Sequence, residues 1–135
     1  MYQTTTVVVQ WVEQLRRDPP VPTATARTLD HPVRAEIRLE AVLHALSDPV
    51  RLQVVRFLAG LADGEEASCS ALDLAVTKST STHHYRVLRE AGLIRQVYRG
   101  TAKMSVVRRE DLDALFPGLL DAVLTADAAQ RGRLS

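Results

Sequence analysis

The sequence predicts a mainly α-helical fold with a small β-hairpin, arranged as a winged helix-turn-helix of about five helices plus a two-stranded wing. Two patterns support this prediction: apolar residues recur at helical spacing through much of 35–126, and two runs of β-forming residues flank a Gly-containing turn near residue 100. A chain of 135 residues with 46% hydrophobic and 24% charged residues has the size and composition of one globular domain.

We divide the chain into an arm, a folded domain and a tail. Residues 1–33 hold four of the six prolines, so we interpret them as an N-terminal arm with a stiff, Pro-rich linker. The apolar spacing in this arm fits a short helix around 7–17, whereas its β-branched residues fit a strand equally well. Residues 34–127 are predicted to form the winged helix-turn-helix domain, and residues 128–135 a frayed C-terminal tail.

The folded domain is predicted to begin with two helices separated by a capping sequence. Apolar residues at helical spacing predict the first helix over 35–46. The sequence Ser47-Asp48-Pro49 ends it, because Ser47 or Asp48 can accept hydrogen bonds from the first amides of a new helix and Pro49 suits its first turn. The second helix is predicted to run to about Leu61.

A short helix, a tight turn and a longer helix are predicted next, which is the helix-turn-helix arrangement. The short helix covers 70–75 and the longer one 78–91, and Gly92 follows as a left-handed residue that ends the longer helix. The β-forming runs 94–98 and 103–107 then predict a hairpin, which forms the wing.

A final apolar stripe predicts a helix over 109–126. Pro117 and Gly118 lie within it and are expected to kink or split it.

The positive charge is concentrated in one stretch. Residues 77–109 contain eight Lys or Arg residues and a single acidic residue, Glu90, whereas the flanking segments 34–76 and 110–135 are each net acidic. The formal net charge of the whole chain is only +1. A basic block of this kind attracts phosphates and steers polyanions, which favours nucleic acid as the partner; the alternative is a solvated basic surface.

The helix predicted over 78–91 has an outward face of hydroxyl side chains near its start and longer hydrogen-bond donors further along. Small polar groups allow the backbone to approach base edges in the major groove, and Arg and His donate to guanine or phosphate. The basic hairpin fits a wing on the DNA backbone or minor groove, or one whose charges only protect an edge strand. The predicted DNA-binding residues are Lys78, Ser79, Thr80, Thr82, His83, Arg86, Arg89, Arg95, Arg99 and Lys103.

Two stretches resemble the arsenic-repressor-type (ArsR/SmtB) family of transcriptional regulators: LSDPVRL at 46–52 and KSTSTHHYRVLREAGLI at 78–94. The resemblance covers about residues 35–125. It implies a homodimeric winged helix-turn-helix repressor in which the helix around His83 and His84 reads a duplex DNA operator and the first and last helices form the dimer interface. The implied interface residues are Leu39, Val42, Leu112, Phe116, Leu119, Leu120 and Val123.

The sequence departs from the metal-sensing members of that family. They carry a Cys-x-Cys motif before the recognition helix, where this chain has the single thiol of Cys69, and no histidine follows His84. Because transition-metal sites need converging imidazole or thiolate ligands, we predict no metal ion and no cofactor. A site assembled from His31, His44 and Cys69 is the alternative.

The histidines and the cysteine each have an expected place. His83 is expected to face DNA and His84 to pack against the neighbouring helix. His44 is assigned to an interface or to the core, and His31 to solvent. Cys69, near a predicted helix N-terminus, is either a thiol switch with a lowered pKa or an inert buried thiol.

The sequence lacks the features of membrane proteins, secreted proteins and common enzyme classes. No apolar run is long enough to span a membrane and no signal peptide is present at the start, so we expect a cytoplasmic protein. No nucleophile elbow, phosphate loop or paired metal-ligand helix is present, so we predict that the chain is not an enzyme.

The leading hypothesis is a sequence-specific, DNA-binding transcriptional regulator that acts as a homodimeric repressor. Its expected partners are an operator duplex, a second copy of the chain and a small-molecule effector. The alternatives are a winged-helix protein-interaction module without operator binding and, less favoured, a metal- or thiol-responsive sensor that uses Cys69.

Overall fold

A computed structural model of the chain describes residues 29–135, in which five α-helices and a three-stranded sheet follow a short 3-10 turn. The predicted winged helix-turn-helix fold class is confirmed, whereas the helix or strand expected within residues 1–28 lies outside the described residues. In chain order the elements are the 3-10 turn Arg34–Glu36, α1 (Leu39–Leu46), α2 (Pro49–Ala59), β1 (Ala67–Ser68), α3 (Lys78–Glu90), β2 (Ile94–Arg99), β3 (Ala102–Val107), α4 (Arg109–Leu115) and α5 (Leu119–Leu134).

The junction between α1 and α2 is built as the sequence predicts, with Asp48 as the capping residue. Its Oδ1 accepts hydrogen bonds from the amides of Val50 (2.8 Å) and Arg51 (3.1 Å), the donors that a new helix leaves unpaired. Burial alone would raise the pKa of Asp48, but these hydrogen bonds lower it below its ordinary value. Ser47 instead donates its hydroxyl to the carbonyl of His44 (2.7 Å) and closes the end of α1.

The two ends of α3 are also fixed by identifiable residues. At the start, the hydroxyl oxygen of Thr77 accepts a hydrogen bond from the amide of Thr80 (3.2 Å). After the end, Gly92 has a φ of +87°, and a Cβ at this position would lie 2.5 Å from Cγ1 of Ile37. Gly92 therefore meets two requirements at once, a left-handed backbone and a close approach by the chain that precedes α1.

The short helix predicted over 70–75 is wrong: this segment consists of turns and bends. Leu72, Leu74 and Val76 are half-buried, while the residues between them are exposed. Burial at every second residue is not the spacing of a helix. An irregular segment thus precedes α3 where a short helix was expected.

The wing is a hairpin with one more strand than predicted. β2 and β3 pair antiparallel from Ile94 opposite Val107 to Arg99 opposite Ala102, which leaves Gly100 in the turn with a φ of +64°. The two-residue β1 pairs with the other side of β3, so the strand order is β1-β3-β2. A strand this short has no period in the sequence from which to predict it.

The C-terminal part is split as predicted but ends later. Pro117 and Gly118 separate α4 from α5, and Gly118 has a φ of +79°. α5 continues to Leu134, so the expectation of a frayed tail from about 128 is wrong. Asp127, which is buried, accepts hydrogen bonds from Arg56 (2.8 Å) and Arg131 (3.1 Å) and thereby attaches the late turns of α5 to α2.

The core lies where α1, α2 and α3 meet the base of the sheet. Its least exposed apolar residues come from all of these elements, so α3 is held by its inner side against a rigid support. None of the helices in residues 29–135 has the length and apolarity that crossing a membrane requires. The apolar residues below 2% exposure are Val42, Ala45, Val54, Val55, Leu88, Leu93 and Ile94.

Candidate nucleic-acid interface

α3 has one buried side and one exposed side. His84, Tyr85 and Leu88 are buried against the core. Within residues 29–135, no carboxylate forms an ion pair with a residue of the exposed side. We call the exposed side the α3 polar face, and it consists of Lys78, Ser79, Thr80, Thr82, His83 and Arg86.

Hydroxyl groups organise the beginning of this face. The Thr77 hydroxyl donates to Oγ1 of Thr80 (2.9 Å), and the Thr82 hydroxyl donates to the carbonyl oxygen of Lys78 (2.9 Å). Because these side chains are short, a second molecule can approach the backbone of α3 closely. The first amides of a helix have no intrahelical acceptor, and those not capped by Thr77 can bind a phosphate.

Arg51 joins three helices and thereby orients α3. Its Nε donates to the carbonyl of Ala45 (2.8 Å) and its Nη2 to the carbonyl of His44 (3.3 Å), both near the end of α1. Its Nη1 lies 3.3 Å from Nδ1 of His84 on α3. Since a guanidinium only donates, this contact is a hydrogen bond in the tautomer of His84 whose Nδ1 carries no proton. The prediction that His84 packs against the neighbouring helix is confirmed. His83 is exposed, and its contact with DNA stays a prediction.

Arg89 does not belong to the α3 polar face, although the sequence assigned it there. It is half-buried, its Nη1 donates to Oε1 of Gln96 on β2 (2.7 Å), and its buried Nε has no hydrogen-bond partner among the described residues. Gln96 is itself 1% exposed. The guanidinium of Arg89 therefore joins α3 to the sheet, a role that helical spacing alone does not reveal.

The tip of the wing carries a paired charge. Arg99 donates from Nε and Nη2 to the two carboxylate oxygens of Glu66 (2.7 and 3.0 Å), and this hydrogen bonding lowers the pKa of Glu66. Glu66 lies in the acidic segment before β1, 33 residues away, so nothing local in the sequence indicates the pairing. Lys103 is the second cation of the hairpin turn region, with Nζ 5.5 Å from the ring centre of Tyr98.

Acidic residues of α4 and α5 neutralise much of the basic stretch after the wing. Nε of Arg108, which is buried, donates to Asp111 (2.9 Å), and Arg109 donates to Asp121 (3.0 Å). The Arg95 guanidinium is 4.0 Å from Asp111 with a side chain that remains 56% exposed. Within residues 29–135, the exposed cations without a close acidic partner are thus Lys78 and Arg86 on α3 and Arg133 at the end of α5, and the half-buried Lys103 also has none.

Cys69 and His31 lie in positions that the sequence did not indicate. Nε2 of His31 accepts a hydrogen bond from the amide of Gln96 (2.9 Å), so the expectation that His31 is solvated is wrong. Cys69 is half-buried, 3.8 Å from Nε2 of Gln96. Burial raises the pKa of the Cys69 thiol, the opposite of the lowered pKa that a thiol switch needs. His44 is exposed, so its assignment to the core is wrong.

The alternative metal site is not formed in the described part of the chain. Among residues 29–135, no group of three or more His, Cys, Asp or Glu side chains is arranged to hold a metal ion. His31, His44 and Cys69, which the sequence offered as one set of ligands, are not brought together as such a group.

The residues expected at a dimer interface fall into two groups. Val42, Leu112 and Leu120 are at most 3% exposed and belong to the core of the single chain. Leu39 is 42% exposed, and Phe116, Leu119 and Val123 are half-buried at the edge of the core. Leu43, which the sequence did not assign to the interface, is 46% exposed. We call the second group and Leu43 together the apolar face: Leu39, Leu43, Phe116, Leu119 and Val123.

The chain is similar to known helix-turn-helix proteins. A family model described as a helix-turn-helix domain matches residues 46–97. The chain is 31% identical over 101 residues to an uncharacterized HTH-type transcriptional regulator, YceK, of Bacillus subtilis (strain 168), a match that covers 73% of this chain and 94% of that protein. A crystal structure of an ArsR family transcriptional regulator is similar with a TM-score of 0.49 and 22% identity, over 71% of this chain and 93% of that one.

Proposed function

Because the chain belongs to the helix-turn-helix transcriptional regulators, of the ArsR type that its motifs indicated, we propose that it is a homodimeric repressor that binds an operator in duplex DNA. In this proposal α3 enters the major groove and the wing contacts the backbone or the adjacent minor groove. The observation that carries the proposal is the α3 polar face, a row of exposed donors opposite a buried side that fixes the helix. Such a protein acts where the chromosome is, in the cytoplasm.

Each part of the α3 polar face has a role in this proposal. Ser79, Thr80 and Thr82 are short enough to allow close approach and can accept or donate at base edges. His83 and Arg86 are long enough to reach bases or phosphates deeper in the groove. Lys78, beside the uncapped amides at the start of α3, binds a phosphate and sets the register of the helix.

The wing contributes position more than sequence preference. Lys103 and Arg95 are assigned to phosphate contacts, which attract any sequence equally. Arg99 is assigned to the same surface, but it must first leave Glu66. An exposed ion pair is worth only about 0–1 kcal/mol, so a DNA phosphate can replace Glu66 as its partner.

The apolar face is the proposed contact between the two copies. Leu39 and Leu43 are exposed on one short helix, and Phe116 after α4 and Leu119 and Val123 of α5 are half-buried at the edge of the core. A two-fold interface brings the same patch of both copies together, so that two α3 helices face one side of a duplex. Val42, Leu112 and Leu120 support this interface from the core and do not contact the second copy.

Salt dependence of binding to the protein's own promoter region tests the proposal. Six to ten phosphate contacts would reduce the affinity by about 10³–10⁵-fold between about 50 and 200 mM salt. Fluorescence anisotropy with a labelled duplex measures this, with an unrelated duplex of equal length as the control. A salt response that is flat, or identical affinities for both duplexes, would contradict operator binding.

Substitutions distinguish residues that recognise the DNA sequence from residues that only bind the DNA backbone. Thr82→Ala and His83→Ala are expected to weaken binding to the promoter duplex and to reduce its preference over the unrelated duplex. Lys103→Gln is expected to weaken both duplexes about equally and to lower the salt slope by about one. Equal effects of all three substitutions on both duplexes would remove the recognition role of α3.

The second candidate is a winged-helix protein-interaction module without operator binding. The observation that favours it is the neutralisation of Arg99, Arg108 and Arg109 by acidic residues of the same chain. It predicts weak DNA binding without preference for the promoter. The salt experiment therefore distinguishes the two functions.

A further inference from the structure

A cavity of about 580 Å³ lies between the start of α3, the extended segment before it and the wing. Leu72, Leu74 and Tyr85 supply apolar walls, and Ser81 of α3 lines it as well. This volume is within the range of about 300–1,000 Å³ found for small-molecule sites.

The charged side chains that line the cavity have one sign. Lys78 and Lys103 are both among its lining residues, which include no carboxylate. Neither lysine forms an ion pair with another residue of the described range. Two ammonium groups beside an apolar wall suit a ligand with an apolar body and one negative group.

Tyr85 is 3% exposed, so its ring is a fixed part of the cavity wall. Burial raises the pKa of its hydroxyl to about 12.

We propose that this cavity binds a small organic acid, with its carboxylate near Lys78 and Lys103 and its aromatic or aliphatic body against Leu72, Leu74 and Tyr85. The regulatory consequence rests on the proposed DNA binding: Lys78 and Thr82 line the cavity and also belong to the α3 polar face. The carboxylate of a bound acid pairs with the ammonium group of Lys78, and the acid lies between α3 and the wing. The acid and DNA therefore compete for the chain.

Binding is tested first without DNA, on the full chain, with 2-naphthoate and with the neutral, isosteric 2-naphthamide as probes. Backbone NMR spectra recorded during titration are expected to show saturable shifts at Leu74, Ser81 and Tyr85. Naphthoate is expected to bind about tenfold more tightly than naphthamide, because its charge is paired by ammonium groups. Equal affinities, no saturable binding, or shifts centred on Leu39 and Leu43 would overturn the proposal.

Three variants locate the site. Lys103→Gln is expected to weaken naphthoate about tenfold and to leave naphthamide unchanged. Arg95→Gln removes a cation from the same hairpin that does not line the cavity, and it is expected to change neither affinity. Ser81→Leu fills the cavity and is expected to abolish binding of both probes at an unchanged melting temperature. Equal effects of Lys103→Gln and Arg95→Gln would overturn the proposal even if Ser81→Leu fails to fold.

Competition with DNA is measured separately. Naphthoate is expected to weaken promoter binding by the wild-type chain and to have no effect on the DNA binding of Ser81→Leu. A chain that binds DNA but not naphthoate overturns the cavity proposal alone. A chain that binds naphthoate in the cavity but no DNA overturns the proposed function alone, and simultaneous binding without competition overturns the coupling between them.

Discussion

The α3 polar face and the wing come from one uninterrupted basic stretch of sequence, yet their cations have different surroundings. Lys78 and Arg86 on α3 have no ion pair with any residue in 29–135. Arg99 at the tip of the wing is held by Glu66 through two hydrogen bonds, and Arg109 after the wing is held by Asp121.

This difference shows that a count of charges along the chain overstates the charge that a partner meets. The acidic segments on either side of the basic stretch return to the sheet and to the beginning of α4, where they pair with its arginines. The inner side of α3 is buried in the core, and within residues 29–135 its exposed side has no ion pair. Available positive charge is therefore a property of the fold, and it is highest on α3.

Gly92 connects α3 to the first strand of the wing, so a substitution there is expected to destabilise both regions. Gly92→Ala forces a side chain into a left-handed backbone and against Ile37. We expect a loss of about 3 kcal/mol in the free energy of unfolding, measured by urea denaturation. Gly100→Ala is the control, since its φ is +64° but nothing lies within 4 Å of the added Cβ, and it should cost about 1 kcal/mol. Equal losses would mean that the contact with Ile37 does not matter.

The contrast between exposed and buried cations is sharpest within α3 itself. Arg86→Ala is expected to lower promoter affinity by about 10–100-fold with unchanged stability. Arg89→Ala is expected to leave the affinity of the folded protein nearly unchanged and to reduce the free energy of unfolding by about 1–2 kcal/mol, because the buried Gln96 loses its donor. Anisotropy and urea denaturation measure the two quantities. If Arg89→Ala weakens DNA binding as much as Arg86→Ala, then Arg89 reads DNA after all.

Removal of the Glu66 carboxylate is expected to leave the Arg99 guanidinium without an acidic partner in residues 29–135, as Lys78 and Arg86 are on α3. Glu66→Gln frees Arg99 and should raise DNA affinity by up to about fivefold. Glu65→Gln makes the same change of net charge one residue earlier, where the carboxylate accepts from the amide of Ala62 and holds no arginine. The affinity gain of Glu66→Gln must exceed that of Glu65→Gln. If the two gains are equal, Arg99 does not reach DNA.

The smallest expected effect concerns His31 at the open edge of the wing. Burial, followed by the charges of nearby arginines, lowers the pKa of His31 below its ordinary value of 6.5. The neutral ring accepts from the amide of Gln96. Since the unfolded chain takes up the proton first, stability is unaffected above about pH 6.5 and declines as the pH falls below it.

Hydrogen exchange at the Gln96 amide measures this effect. Its protection factor in the wild type is expected to fall on acidification below about pH 6.5, whereas His31→Phe should show low protection at every pH. A wild-type protection factor that does not change with pH would contradict the contact.

Those parts of the fold that depend on local pattern could be predicted from the sequence. The Asp48 cap, Gly92 and the Gly-containing hairpin turn all act within a few residues. The helix predicted over 35–46 is correct only from Leu39, because a 3-10 turn over Arg34–Glu36 and two extended residues come first. The helix predicted over 70–75 is wrong, and the burial of Leu72, Leu74 and Val76 at every second residue is not the spacing of a helix.

The rest depended on contacts between distant residues. Arg89 has the helical position of an exposed residue, and only the place of Gln96 on β2 explains why it turns inward. The pairing of Arg99 with Glu66 and the anchoring of α5 by Asp127 likewise join segments that no local pattern connects. The DNA contacts of α3 and of the wing both stay predictions, and what no local pattern indicates is which of their arginines have a partner within the chain.

Site-directed cleavage of DNA tests the central claim most directly, namely that two copies place α3 in successive major grooves of one duplex. An iron chelate is attached to Ser79→Cys in a Cys69→Ser background, and the cleavage sites in the promoter duplex are mapped. If two copies bind in this way, we expect two clusters of cleavage related by two-fold symmetry, with centres about 10 base pairs apart or a multiple of that spacing. Uniform cleavage, or a single cluster at saturating protein, would contradict it.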